Sequence, residues 1–285
     1  MYLLLCGCGI GFSVQKHHVS QLPPATKRGE IIEKTYLVPD TIEGWADAIG
    51  VLVASYMGGI PEFDEYIGEK VVFDYSNIRP AGAPLSSGAK APGPDGLRRS
   101  INKIEAIFEK SLSEARTVKM RPIDVYDIIM HAADAVISGG VRRSATIALF
   151  SPDDEEMAAA KTGNWFIENP QRGRSNNSAL LVRDETSKET FNKLMSCVKE
   201  YGEPGFVWAE STEMGFNPCV EIGLYPVDVE TGKSGWQFCN LAEINGKRAN
   251  TEEKFYQACK AAAIVGTLQA AYTSFPYVGE TTERI

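Results

Sequence analysis

Between residues 121 and 210, strand-length apolar runs alternate with helix-length patterns, and this alternation constrains the fold more than any other feature of the chain. Arg121-Pro122 opens a helix predicted over residues 123–137, with proline at the first turn where its missing N–H costs nothing. A strand is expected at 143–150, then Pro152 and an acidic helix start. Further strands at 178–182 and 205–210 flank a helix at 187–201. Strands alternating with helices indicate an α/β fold with a mainly parallel sheet, open or closed into a barrel.

The flanking regions are read the same way. A glycine-rich strand is expected over Cys8-Gly-Ile-Gly-Phe-Ser-Val14, and residues 15–40 read as a polar, proline-containing loop. Apolar residues at 42, 45, 49, 52 and 53 follow Thr41 with helical spacing, and Glu43 lies in the first turn. A short strand at 71–75 runs into a long Gly- and Pro-rich loop over 77–96, a length usually tied to function or mobility. Helices are predicted at 97–112 and, capped by Asn250 with Glu253, up to about residue 271. The sequence holds no internal repeat and no low-complexity tract.

With 285 residues, 44% hydrophobic and 23% charged, the composition is that of a soluble α/β protein with a large core. A formal charge of −8 argues against a duplex nucleic-acid surface, which needs clustered Lys and Arg. A single nucleotide remains allowed, since a small nest of Arg and backbone N–H groups is enough. The apolar start, Met1 to Cys8, lacks a basic leader and breaks at glycine, so it reads as neither signal peptide nor membrane span. Six cysteines are too few for a secreted disulfide framework, which makes the cytoplasm the expected compartment. A chain that opens straight into a glycine-rich strand is expected to be a piece of a larger protein.

The chemistry concentrates in Asn217-Pro-Cys-Val-Glu221, followed by Cys239-Asn-Leu241. In an extended segment alternate side chains share a face, so Asn217, Cys219 and Glu221 are expected to point the same way. An amide, a thiol and a carboxylate then reach one small molecule. The competing reading of Cys219 is a buried, inert thiol. Pro218 removes a ladder donor and favours a loop tip over a central strand. Glu221 lies among Val220, Ile222 and Leu224, and a buried carboxylate is costly unless paired or used. Core packing is a fair alternative for Cys239, while Cys197 and Cys259 fall on helical patterns. Cys6 and Cys8 form a weak metal signal without a nearby His partner. His17 and His18 read as solvated loop residues and His131 as a helix-face residue. Ser138-Gly-Gly-Val-Arg-Arg-Ser144 is a glycine turn carrying two guanidinium groups, suited to phosphate or to a plain helix end. Asn169 to Ser178 is polar and arginine-bearing, plausible beside a nucleotide and equally plausible as a loop.

Taken together, these segments resemble the large chain of ribonucleotide reductase, most closely the monomeric, adenosylcobalamin-dependent (class II) type that acts on ribonucleoside triphosphates. The segments stand in family order. They are Gly9-Ile-Gly-Phe-Ser-Val14 with Ser20-Gln-Leu-Pro23, Val38-Pro-Asp-Thr-Ile-Glu-Gly-Trp45, Asp74-Tyr-Ser-Asn-Ile-Arg-Pro-Ala-Gly82 and Gly139-Gly-Val-Arg-Arg-Ser-Ala145. Ser175-Asn-Asn-Ser178, Gly202-Glu-Pro-Gly205, Asn217-Pro-Cys-Val-Glu221 and Cys239-Asn-Leu241 complete the set.

The resemblance implies a partial ten-stranded α/β barrel over residues 1–285, with Cys219 at the tip of a central finger loop and residues 15–72 a helical and loop insertion near the effector region. Cys219 would be the transient thiyl radical, Glu221 the general base at the 3′-hydroxyl, and Asn217 the holder of the ribose hydroxyls. Cys239 would be one of two reducing thiols, reset by exchange with a thioredoxin-like reductant. Gly9 would touch substrate through its backbone. Gly139, Gly140, Arg142, Arg143 and Ser144 would form the specificity loop. The loop from Asn77 to Gly88 would be its partner, with Arg79 on the phosphates of a deoxynucleotide effector. Adenosylcobalamin would supply the radical.

The family's partner thiol lies in an Asn-Cys motif ahead of the glycine strand, and Cys8 is out of register with it. The family also continues past the position of Ile285 with its substrate-phosphate loop, most cobalamin contacts and a C-terminal cysteine pair. The chain is therefore expected to be a gene fragment or one half of a split enzyme, without turnover unless a second polypeptide completes the barrel. A diphosphate-specific reductase of another class stays open as a rival. So do a non-catalytic nucleotide-binding module and a simple thiol oxidoreductase using Cys219 and Cys239, the last disfavoured by the lack of a C-x-x-C motif.

Overall fold

The computed structural model describes residues 1–29, 33–84, 88, 90–137 and 145–285. They divide into two compact units, Met1–Glu221 and Ile222–Ile285. No described helix is long and apolar enough to cross a membrane.

The first unit holds a four-stranded parallel sheet. β1 (Ile10–Ser13) is an edge strand, and further strands occur in chain order as β2 (Glu33–Leu37), β3 (Lys70–Asp74), β4 (Thr146–Phe150), β5 (Ser175–Val182) and β6 (Gly205–Ala209). The main sheet runs β1-β4-β5-β6, with Ile10 opposite Thr146, Thr146 opposite Ser175, and Ser178 opposite Gly205. All five residues of β4 are buried, the pattern of a strand covered on both faces.

Six helices matter here: α1 (Lys16–Gln21), α2 (Ile42–Met57), α3 (Asp95–Ser111), α4 (Pro122–Ile137), α5 (Lys188–Tyr201) and α6 (Glu252–Ala270). Thr41 caps α2 by accepting the Gly44 N–H, as its sequence position suggests. Ser187 caps α5, and Gly202, in the left-handed region at φ 75°, ends it. An apolar cluster joins α2 to α3 through Trp45, Leu52 and Tyr56 against Leu97, Ile104 and Phe108. The Tyr56 and Phe108 rings stack at 4.4 Å between centroids.

Residues 15–40 are not the featureless loop expected from their polarity, since they contain α1 and β2. β2 pairs in parallel with β3. Its half-buried face is Lys34 and Tyr36, and the Lys34 ammonium lies 4.5 Å from the centre of the Tyr66 ring. A lysine that covers an aromatic face with its stem reads as solvent-facing in sequence, which hides the strand.

In the second unit, Thr251 rather than Asn250 caps α6, accepting the Lys254 N–H, and none of the residues of α6 is buried. A clasp closes the chain end: the Arg284 guanidinium donates to Asp228 at 2.8 Å and to Glu230 at 2.6 Å. Hydrogen bonds from Arg284, Thr231 and the Glu230 N–H pull the Asp228 carboxyl down from 3.8 to about 2. A carboxyl depressed on folding stabilises above its unfolded pKa and loses that contribution as pH falls through the folded value. Wild type is therefore expected to exceed Asp228→Asn in denaturation midpoint at neutral pH. The gap should close between about pH 4 and pH 2, and a pH-independent gap would refute the clasp.

Candidate active site

The cysteine-bearing segment is built onto the edge strand β1. Gly215–Phe216 runs alongside β1 so closely that a Cβ on Gly11 would stand 1.8 Å from the Phe216 carbonyl oxygen. A Cβ on Gly9 would meet Pro218 Cγ at 2.9 Å. These two glycines thus let one backbone lie against another. The tie is completed from the third strand of the sheet, where Asn176 on β5 donates its side-chain N–H to the Pro218 carbonyl at 3.0 Å.

Residues 217–220 form a turn rather than the extended segment expected. The Val220 N–H donates to the Asn217 carbonyl at 2.9 Å, with Pro218 in the second position that its fixed φ suits. Val220 takes φ +69°, which costs a β-branched residue on the order of 1–3 kcal/mol. Its side chain packs on the cluster of Ile147, Leu149, Leu180, Val207 and Phe216. Turning Val220 partly inward leaves Cys219 and Glu221, on either side of it, exposed. The expectation that Glu221 is a buried carboxylate is therefore corrected: the apolar neighbours in sequence do not surround it in space. The strict alternation of Asn217, Cys219 and Glu221 on one strand face is corrected too, because the left-handed Val220 breaks the pleat. The three residues still share one short turn, open to solvent at the thiol and the carboxylate.

The other expected site residues are scattered. Cys239 lies in the second unit, half-buried in a stretch without regular structure. The Arg79 guanidinium, partly exposed, pairs with Asp40 at 2.5 Å. Gly139, Gly140, Arg142, Arg143 and Ser144 lie outside the described residues, as do residues 85–87 and 89 of the partner loop. Gly9 contacts Pro218, which gives its lack of a side chain a structural reason.

Sequence reasoning missed the polar layer that supports β5. Tyr126 of α4 is fully buried, and its hydroxyl meets Ser175 Oγ at 2.9 Å and Asn177 Oδ1 at 3.0 Å. Burial raises this phenol to about 12. Arg172 grips Asp127 with two bonds, 2.9 and 2.7 Å, and donates a third to the Ala160 carbonyl at 2.8 Å. Lys161, also buried, reaches Glu203 at 2.9 Å and the Ser175 carbonyl. The arginine-bearing stretch at 169–178 thus turns at least one guanidinium inward to hold the sheet. The signal was present in the motif Ser175-Asn-Asn-Ser178, in which Ser175 and Asn177 are committed to the support layer and Asn176 to the cysteine-bearing turn.

The mixed α/β arrangement with its parallel sheet is also seen in a solved structure. A crystal structure of a B12-dependent (class II) ribonucleotide reductase matches with a TM-score of 0.64, at 23% identity, over 78% of this chain and 36% of that one. No protein-family model matches the chain. In sequence the chain is similar to the adenosylcobalamin-dependent ribonucleoside-triphosphate reductase of Lactobacillus delbrueckii subsp. bulgaricus. The two are 26% identical over 329 aligned residues, 99% of this chain. It is also 26% identical, over 85% of its length, to a protein of Dictyostelium discoideum described as a probable enzyme of the same name. The chain spans 42% and 31% of the length of these two relatives.

Proposed function

We propose that this chain is part of the catalytic barrel of an adenosylcobalamin-dependent ribonucleotide reductase, acting on ribonucleoside triphosphates. The observation that carries the reading is the pairing of an exposed thiol, Cys219, with an exposed carboxylate, Glu221, on one turn clamped to β1. Similarity to reductases of that name over 99% of the chain supports it. In this reading the four-stranded sheet is a portion of the ten-stranded barrel, and a second polypeptide or further chain supplies the remainder.

The roles follow from the turn. Adenosylcobalamin, when bound, supplies the one-electron oxidation that the thiol itself cannot start. The exposure of Cys219 fits a cofactor approaching from outside the unit, and no residue of this chain is assigned to hold the corrinoid. The Cys219 sulfur radical takes the ribose 3′-hydrogen atom. Glu221 takes the 3′-hydroxyl proton, and the Asn217 amide orients the hydroxyl groups. The 2′-hydroxyl leaves as water after protonation by a thiol. Cys239 and a second thiol give up two electrons and two hydrogens and close to a disulfide. Cys219 then returns the 3′-hydrogen, so one ribose C–O bond is exchanged for C–H at the expense of two thiols. A thioredoxin-like protein would reopen the disulfide, and a deoxynucleotide effector would bind near Arg79 and the arginine turn at 139–144.

The test is release of tritium from ribonucleoside triphosphate labelled at the 3′ position. The chain is assayed with adenosylcobalamin and a dithiol, alone and with the polypeptides encoded beside its gene. Exchange that falls to background in Cys219→Ala, with nucleotide binding intact, is the expected result. Deoxynucleotide binding without any exchange in the combined wild-type system would instead establish a nucleotide-binding module and sink the reductase reading.

A further inference from the structure

We propose that His17, His18 and Glu213 form a binding site for a divalent transition-metal ion of the Zn(II) type, which staples the start of the cysteine-bearing segment to α1. His17 and His18 are not the solvated loop residues their sequence setting suggests. Both lie on α1, and their Nε2 atoms meet the two oxygens of a single carboxylate, His17 to Oε1 and His18 to Oε2 of Glu213, each at 3.0 Å. The three ligand atoms lie within 4.8 Å of one another. The imidazole rings stand 3.9 Å apart between centroids. All three side chains are about one-third exposed, so an ion can reach them from solvent.

The donor set selects the ion. Two imidazoles and a carboxylate suit Zn, Co, Ni or Fe(II) and are poor for Mg or Ca, which take oxygen ligands. Partial burial pushes the Glu213 carboxyl up, but hydrogen bonds from His18 and His17 outweigh it and hold the group below the ordinary range, hence ionised. Zinc bonds of about 2.0–2.1 Å at a tetrahedral centre need ligand atoms roughly 3.3 Å apart, so the 3.0 Å contacts open by a few tenths of an ångström and the remaining separations, all within 4.8 Å, close toward the same value. A fourth position stays open to water.

The frame around the ligands is built. Ser13 Oγ lies 2.7 Å from His18 Nδ1 and receives the Gln15 backbone N–H at 3.2 Å and the Gln15 side-chain N–H at 3.1 Å. Gln15 is fully buried and also donates to the Thr212 carbonyl at 2.8 Å, beside Glu213. With its lone pairs taken by Gln15, Ser13 turns its O–H toward Nδ1, and His18 carries its proton on Nε2. An incoming ion takes the place of that Nε2 proton, which moves to Nδ1, and Ser13 Oγ then accepts from Nδ1–H in place of the Gln15 side-chain N–H. Orientation of a ligating imidazole through its other nitrogen is the usual device at metal sites. Glu213 stands two residues before Gly215–Phe216, so a bound ion would fix the root of the segment that presents Cys219.

Zn(II) titration of the full chain by calorimetry, with histidine side-chain nitrogens followed by NMR, tests the assignment. The expected result is one equivalent bound, with the Nε2 signals of His17 and His18 shifting together. Ser13→Ala should weaken binding about tenfold or more while every ligand is retained. Glu213→Gln should weaken it further. A Cys6→Ser/Cys8→Ser/Cys219→Ser chain should bind as wild type. Loss of binding with the cysteines, or Zn(II) uptake that leaves both histidine Nε2 signals unmoved, would overturn the site. So would the absence of binding at millimolar Zn(II).

Discussion

Gly11→Ala is expected to destabilise the chain by about 3 kcal/mol and to dislodge the turn that carries Cys219. The new methyl would stand 1.8 Å from the Phe216 carbonyl oxygen, a backbone atom that cannot rotate away. Relief requires the whole 215–218 segment to lift from β1, which also strains the Asn176 bond to Pro218. Gly9→Ala should cost only about 1 kcal/mol, because its methyl meets Pro218 Cγ at 2.9 Å and a proline ring can repucker. Denaturant midpoints measure the difference, and the alkylation rate of Cys219 reports displacement of the turn. A Gly11→Ala chain as stable as Gly9→Ala, with Cys219 reacting at the wild-type rate, would contradict the close approach.

Removing the Arg172 guanidinium should cost 3–5 kcal/mol, about the penalty for leaving one partner of a buried ion pair alone. Arg172→Ala strands Asp127, which is 9% exposed and, among the described residues, otherwise keeps the Gln171 amide bond at 3.0 Å. Arg172→Lys should rescue little, since an ammonium cannot reproduce the two parallel bonds to Asp127 and the third to Ala160. The double substitution Arg172→Met/Asp127→Leu should recover most of the loss, because both charges are then gone. A double-mutant cycle in urea reads the coupling. Near-additive single effects would show that the pair is only a surface contact.

Much of the scaffold was legible from local pattern. The apolar run at 146–150, the helix following Arg121-Pro122 and the helix before Gly202 all lie where period and punctuation place them. β2 was hidden because its inward face uses a lysine stem beside a tyrosine, a pairing no hydropathy pattern marks as buried. The site was legible in part. The resemblance singled out Asn217, Cys219 and Glu221, yet reading the segment as a strand failed at Val220. A valine in the left-handed region is disfavoured locally, and only its packing against Ile147, Leu180 and Phe216 holds it there. Arg79 illustrates the same gap: its pairing with Asp40 joins residues 39 apart in sequence.

What the sequence settled alone is the kind and order of the main elements between residues 121 and 210 and the presence of a thiol, an amide and a carboxylate in one short stretch. Side-chain period, proline, glycine and capping residues act over a few residues, so their consequences are local and readable. Which groups meet across the fold was decided by the tertiary structure. Gly11 is pressed against Phe216, Arg172 turns in toward Asp127, and two histidines of α1 converge on Glu213, 196 and 195 residues away. Such meetings depend on the path of the backbone between the partners, and no pattern within either partner's own neighbourhood encodes that path.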